Sequence, residues 1–572
     1  MPDTSPKPRA LLVYANPAIT ASPVPPYGME RVAQVMRLAG CEVVLLAPFI
    51  EEDPLAALNE ALAQGADLVG FSVRNIDDAL VVRGEVGAGD IDTNDYLPEV
   101  RPLVMRAVEA LGAARVILGG AGLSAGAAPI LRDLGATRAV RGPAEDLMYG
   151  MARGLVLGMG PVLPTDDPRV VELDRVTETN HQSPPMPRGA GAKMPGAWPT
   201  PTPRMAEYLR LTLARGGRVP VSISTGCDRR CAFCVEARFA AFTVKPRPVE
   251  HIVAEVMALE RAGVKRLWLG CSELNAPDAR HAKAVLRALQ GRGLDLAVFL
   301  QPAPMDDELL DLIEGAGLDP TALSYEFGHL DDTLLRAGAG PATRRSIERL
   351  AELYLKRGYR TLGGSVLLGA HPQEDDTSLG RALDLARQLD AAFPDGLGLS
   401  YACGGRVYPE TRLADWIAED WDAARPHLYA LPGQPIDETF VRPVVYSRPA
   451  APRALLRQVR AALAGCRGHI GPMNAEAPAS DAQLHAERLV NRGIWRHAQG
   501  HSKEAEGMFV EAESRWPGHL EALAQLGLLR ANTLFDFTGA RAAFQKLLAA
   551  LPEADPRRGE IQAALTALRG SG

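Results

Sequence analysis

From residue 9 to about 158 the chain alternates short apolar runs with amphipathic stretches. RALLVYANP reads as a buried strand, residues 29–39 carry helical spacing, and EVVLLAP is a second strand. DPLAALNEALAQG follows as a helix and DLVGFSV as a third strand. After the helical LPEVRPLVMRAVEALG come RVILGG and TRAVRGPAED, the fourth and fifth strands. Near-continuous apolar strands separated by amphipathic helices predict a parallel sheet covered on both faces. This is a flavodoxin-like, doubly wound α/β domain over 1–158, and its ligands are expected beyond the carboxyl ends of the strands.

A second alternating series runs from 218 to about 420, with strands VPVSIST, RLWLGCS, LAVFLQP, ALSYEF, TLGGSVLLG and GLGLSYA. Six βα units predict a partial (β/α)6 barrel, assigned here to 206–450. Between the two series, 159–205 is rich in Pro and Gly and predicts a linker that wraps rather than packs. The remaining 451–572 is predicted to be a small all-α extension. It contains a repeat: Gly493 and Gly527 are 34 apart, while Ala505/Ala540, Phe509/Phe544, Ala512/Leu547 and Pro517/Pro552 are each 35 apart. The pattern resembles two tetratricopeptide (TPR) units over about 486–555. The one-residue shift predicts a lengthened turn at 535–539.

Length allows about three or four domains. The net charge of -7 and the lack of a long basic run argue against a nucleic-acid substrate. No apolar run approaches a membrane span and the start lacks a signal-peptide layout, so a cytoplasmic enzyme with no membrane partner is expected.

The sharpest chemical signal is Cys227-x3-Cys231-x2-Cys234, placed just after the first strand of the second series. The other cysteines are 41, 271, 403 and 466, and no second CxxC exists. Soft thiolates select zinc or iron–sulfur clusters. A closed zinc site usually takes four ligands. Three clustered cysteines therefore favour a four-iron, four-sulfur (4Fe-4S) cluster with one open iron, with a zinc knuckle or a redox loop as the alternative. Cys271 reads as a small buried apolar residue.

CxxxCxxC, with Phe233 in the aromatic place of the motif, resembles the signature of radical S-adenosylmethionine (SAM) enzymes. GCSELN (270–275), SVLLGAHPQEDDTS (365–378) and GGRVYPETRLAD (404–415) extend the resemblance to cobalamin-binding members of that family. Gln373 and Glu410 depart from it where Gly is usual. VGFSVRNIDD (69–78) resembles the segment beneath the corrin in the tryptophan methyltransferase group. The chain has no histidine before His181, so the first domain supplies no imidazole to cobalt.

The resemblance implies three cofactors: a 4Fe-4S cluster on Cys227, Cys231 and Cys234, cobalamin, and SAM. It implies cobalamin contacts from Ser72, Arg74, Asn75, Gly119 and Gly120, and SAM contacts from Phe233, Glu273, Asn275, Gln301 and Ser365. Glu273 either holds the SAM amine or ligates the open iron. The loop residues Asp92, Asn94 and Tyr96 are a further candidate cover for the corrin. Catalytic roles are implied for Glu273, Arg74, Tyr325 and Arg406, with a structural ion pair as the other reading for Arg406 and a pairing with Asp77 or Asp78 as the other for Arg74. A guanidinium has no lone pair to donate, so beneath cobalt it favours the four-coordinate, nucleophilic Co(I) state.

The implied activity is methyl transfer from SAM through methylcobalamin to an unactivated carbon of a small molecule or peptide, by a radical or a polar route. A cyclase, rearrangement or ring-contraction enzyme and an inactive scaffold are the rivals. A flavodoxin- or ferredoxin-type electron donor is the implied partner, and the repeat tail is expected to bind a protein or to buttress the barrel.

Overall fold

The computed structural model describes residues 7–17, 24–175, 209, 211–236, 242–473 and 481–568, except positions 80, 83, 86, 88, 554 and 556. The first domain forms β1 (Arg9–Ala15), β2 (Glu42–Leu46), β3 (Leu68–Val73), β4 (Val116–Gly119), β5 (Arg138–Val140) and β6 (Val170–Glu172). The order is β2-β1-β3-β4-β5-β6, parallel from β2 to β5. Tyr14 pairs with Ser72, and Ser72 with Gly119, so the strand ends line up along one edge. The order reverses at β1, between β2 and β3, and a ligand crevice forms at such a switch point.

β6 corrects the expected linker. Its residues pair antiparallel with β5, Ala139 facing Val171, and extend the sheet. Pro and Asp around this short run hide a strand that pairs only on an edge, where Pro and brevity are tolerated. The Pro/Gly-rich part, from 176 to 208, lies outside the described residues.

The second series forms β7 (Val219–Ser222), β8 (Arg266–Gly270), β9 (Asp295–Ala297), β10 (Tyr325–Gly328), β11 (Leu362–Leu368) and β12 (Leu397–Cys403). All neighbouring strands pair in parallel, and a bridge from Leu300 to Tyr325 joins the two halves of the arc. A seventh parallel strand, β13 (Ile470–Pro472), pairs with β12. The boundary expected at 450 is therefore too early: the helix Pro452–Leu463 packs on β12 and belongs to the barrel. IGP has no apolar alternation to reveal it. Among the described residues, no helix is long and apolar enough to cross a membrane.

Beyond 480 the described chain is helical: Asp481–Ala498, Ser502–Arg515, Leu520–Leu529, Phe537–Ala550 and Arg557–Ala567. The two repeats share one contact. A Cβ on Gly493 would lie 2.4 Å from the Phe509 ring, and one on Gly527 would lie 2.4 Å from the Phe544 ring. The extra residue of the second repeat falls earlier than expected: a π-helical turn, Arg530–Leu534, carries it before Phe535. Glu487 ties the tail to the barrel approach through Arg215 and lies 3.3 Å from His519. Arg488 reaches Glu99 of the first domain at 2.8 Å.

Gly493→Ala forces the Phe509 ring aside, and overpacking of this kind costs about 1–3 kcal/mol. Thermal unfolding should show a lowered tail transition; an unchanged transition would show that the ring relocates freely.

Candidate functional site

The cysteine loop leaves the barrel directly after β7. A short strand, Ser224–Thr225, pairs antiparallel with Lys245–Pro246 and closes the excursion at its neck. Gly226 has φ +84°, a conformation that favours glycine. Its carbonyl accepts from Ser272 Oγ at 3.0 Å. Farther along, Ala232 N–H donates to Gly338 O at 2.8 Å and Ala232 O accepts from Leu413 N–H at 2.9 Å. Three separate parts of the barrel thus fix the loop.

The thiols gather with a carboxylate. Cys227 Sγ lies 3.9 Å from Glu273 Oε2, and Arg229 N–H donates to Cys227 Sγ at 3.5 Å. Burial pushes the Cys227 thiol up to about 12, against the Arg229 N–H, and the charges of Glu273 and Cys234 push the same way. Cys231 is raised well above the ordinary thiol range by burial and by Cys234, Glu273 and Cys227. Burial also raises Glu273; Gln301 opposes the rise, and Glu326 and Glu236 add to it. Mutually repelling anionic donors in a buried site are what a bound cation relieves. That donor set fits an iron–sulfur cluster with Glu273 beside its open corner. Among the described residues, no three His, Cys, Asp or Glu side chains are grouped to hold a single metal ion. A four-iron cube takes its ligands on separate irons and does not require such convergence.

The residues expected around SAM divide into two sets. Gln301 faces Glu273 from beyond the end of β9; it is 1% exposed, and its side-chain amide holds the Glu273 carboxyl down against the rise from burial. Asn275, by contrast, is fully used within the chain. Its Oδ1 accepts from Gln301 N–H at 3.0 Å, and its Nδ2 donates to Gln301 O at 2.9 Å and Pro304 O at 2.8 Å. It shapes the Gln301 turn rather than touching a ligand. Ser365 Oγ donates to Glu326 Oε2 at 2.7 Å. Phe233 is half-buried on the cysteine loop.

Tyr325 is a correction. It is 0% exposed, its hydroxyl meets Tyr354 Oη at 2.7 Å, and Tyr354 Oη donates to Pro320 O. The ring packs edge-on against Tyr354 on the helix layer. Strand alternation then turns Glu326 to the barrel interior, where burial raises its carboxyl and it bears on Glu273. Sequence reasoning missed Glu326. The apolar positions Tyr325 and Phe327 on either side were the available signal.

On the first domain, Ser72 ends β3 and Arg74 and Asn75 follow it. Arg74 Nε donates to Asn75 Oδ1 at 3.2 Å, and among the described residues Arg74 has no carboxylate partner. The expected alternatives, Asp77 and Asp78, are engaged elsewhere. Asp78 holds Asn94, and Asp77 accepts from Arg406 Nε at 2.8 Å and Tyr408 Oη at 2.9 Å. Arg406 is therefore a structural ion pair and not a catalytic group: it is 5% exposed and also donates to the carbonyls of Val407, Phe440 and Val441. Asp92 pairs with Arg453 across the interface, and Tyr96 is buried at the start of the helix Leu97–Leu111. Gly120 (φ +101°) is required by the chain itself, since a Cβ would lie 2.4 Å from Val73 O. Gly119 has ordinary space, with nothing nearer than 3.8 Å. Glu410 stands opposite Arg141 at 3.1 Å, which accounts for a carboxylate where the related motif has Gly.

Residues 221–386 match the model of the radical SAM superfamily. Tryptophan 2-C-methyltransferase of Streptomyces laurentii is 26% identical over 481 residues, covering 73% of this chain and 76% of that protein. The ribosomal protein uS12 methylthiotransferase RimO of Kineococcus radiotolerans is 32% identical over 149 residues, 25% of this chain and 30% of that protein. Among solved structures, the radical SAM methyltransferase TsrM from Kitasatospora setae, with tryptophan substrate and aza-SAM bound, aligns with TM-score 0.66 and 22% identity. The alignment covers 88% of this chain and 99% of that one. OxsB, a cobalamin-dependent SAM radical enzyme with aqua-cobalamin bound, aligns with TM-score 0.58 and 13% identity, covering 99% and 84%. These structural likenesses establish the fold.

Cys227→Ala, Cys231→Ala and Cys234→Ala should each lose the brown chromophore and most of the iron and sulfide after anaerobic reconstitution. Full retention of iron and sulfide in any of the three would remove that residue from the ligand set.

Proposed function

We propose that the chain, whose residues 221–386 match the radical SAM superfamily model, is a cobalamin-dependent methyltransferase acting on a carbon of a small molecule or peptide. The observation that carries the reading is the pairing of two sites: a cysteine triplet beside Glu273, and Arg74 left without a carboxylate at the end of β3. When bound, the cluster, SAM and cobalamin supply electrons, the methyl donor and the methyl relay.

The protein's own part is electrostatic and positional. Cys227, Cys231 and Cys234 would hold three irons. Glu273, 3.9 Å from Cys227 Sγ, would close the fourth corner. A closed corner denies SAM the chelation that reductive cleavage requires and favours a polar route. Gln301 bears on the Glu273 carboxyl, and Ser365 holds Glu326 toward the same interior. Ser72, Arg74 and Asn75 would meet the corrin at the switch point, with Arg74 presenting a cation that cannot ligate cobalt. A low-potential flavodoxin or ferredoxin would reduce the cluster.

We also read the tail as a pair of TPR-like units with a capping helix. Its ion pairs to Arg215 and Glu99 favour a buttress over a partner-binding groove.

Incubating reduced holoenzyme with methyl-labelled SAM and candidate aromatics, amino acids and peptides should give labelled product and S-adenosylhomocysteine without 5′-deoxyadenosine. Abundant 5′-deoxyadenosine would overturn the polar route. Product without label would overturn methyl transfer.

A further inference from the structure

The loop after β3 is acidic, and among the described residues its Arg74 has no carboxylate partner. Asp77, Asp78, Asp92 and Asp95 all belong to this stretch, and Arg74 is three residues from Asp77. Three of these four carboxylates are answered from the barrel side and Asp78 from within the stretch. Arg406 and Tyr408 take Asp77, Asn94 takes Asp78, Arg453 takes Asp92 at 2.7 Å, and Arg442 takes Asp95 at 2.9 Å while also reaching Asp133. All three arginines come from the barrel side of the interface.

The backbone around Arg74 is held as well. A Cβ on Gly122 would lie 3.0 Å from Val73 O and 3.2 Å from Arg74 O, so the β4 loop packs directly on this turn. On the other side Tyr96 N–H donates to Ile76 O at 2.9 Å, and Asp77 bridges Asp95. Asp77 lies three residues from Arg74 along the chain and is held instead by two distant partners, Arg406 and Tyr408. The pair Asp77–Arg406 is nearly excluded from solvent, with side chains 1% and 3% exposed.

We propose that Arg406 is a positioning residue for Arg74: by holding Asp77 it keeps that carboxylate from pairing with Arg74, and so leaves the Arg74 guanidinium as the uncompensated cation facing the cobalamin site. The inference rests on the cobalamin reading given above. It makes the barrel a regulator of the charge presented by the other domain. A net positive charge near cobalt favours the more electron-rich state, so it raises the Co(II)/Co(I) midpoint potential. Losing Arg406 frees Asp77 to neutralise Arg74, which lowers that midpoint.

The test is an anaerobic, EPR-monitored titration of the reconstituted holoprotein. Arg74→Met sets the reference and should move the midpoint to a more negative value. Arg406→Met should move it in the same direction, the double variant Arg406→Met/Asp77→Asn should return it toward the parent, and Arg406→Lys should stay near the parent. A purely structural Arg406 predicts no rescue by removal of the carboxylate, and that result would overturn the proposal. An unmoved midpoint in Arg406→Met, with a clear shift in Arg74→Met, would overturn the proposal alone. No shift in Arg74→Met would overturn the underlying reading of Arg74 as well. Should Arg406→Met fail to fold, Arg406→Gln decides: it should move the midpoint to a more negative value that Asp77→Asn reverses, and an unmoved midpoint or an absent reversal would overturn the proposal.

Discussion

Charge pairing across one interface holds the two α/β domains together. Arg406 with Asp77, Arg141 with Glu410, Arg442 with Asp95 and Asp133, and Arg453 with Asp92 all cross it. The first two pairs are almost wholly removed from water. Charges in that position are costly unless partnered, and removal of one member is typically worth about 3–5 kcal/mol. The domains are therefore interdependent: neither presents its interface loops properly without the other. The orientation between the end of β3 and the mouth of the barrel follows from these contacts, and with it the spacing between the two cofactor sites.

The barrel mouth has the opposite electrostatic character. Its buried thiols and carboxyls raise one another's proton affinity, because burial disfavours each anion and the neighbours repel. Such a group of donors is poorly satisfied by protons alone and well matched to a cationic inorganic core. Among the described residues, Arg74 at the end of β3 has no carboxylate partner, whereas the barrel mouth gathers buried acids.

The strand-helix pattern was legible because burial on both faces writes long apolar runs; all eleven expected strands are present. Elements stabilised from one side were not legible. β6 and β13 are three residues each, on sheet edges, too short for an alternating pattern to show, and β13 carries Gly and Pro. The cysteine triplet was legible from spacing alone. The roles of Asn275, Tyr325 and Arg406 were not, because residue type does not reveal which way a strand faces or which distant backbone a side chain meets. Tyr325 and Glu326 are adjacent in sequence and lie on opposite faces of one strand, so a single-residue choice decided between a core ring and a site carboxylate. The partners of Asp77 lie more than three hundred residues away, beyond any local signal.

Ala232 uses both its backbone groups on remote parts of the barrel, one on Gly338 and one on Leu413. An alanine with no chemistry of its own thus fixes the cysteine loop to the barrel. Ordering a residue costs about 1–2 kcal/mol of conformational entropy, and these two hydrogen bonds tie that cost for the cysteine loop to the fold of the barrel itself.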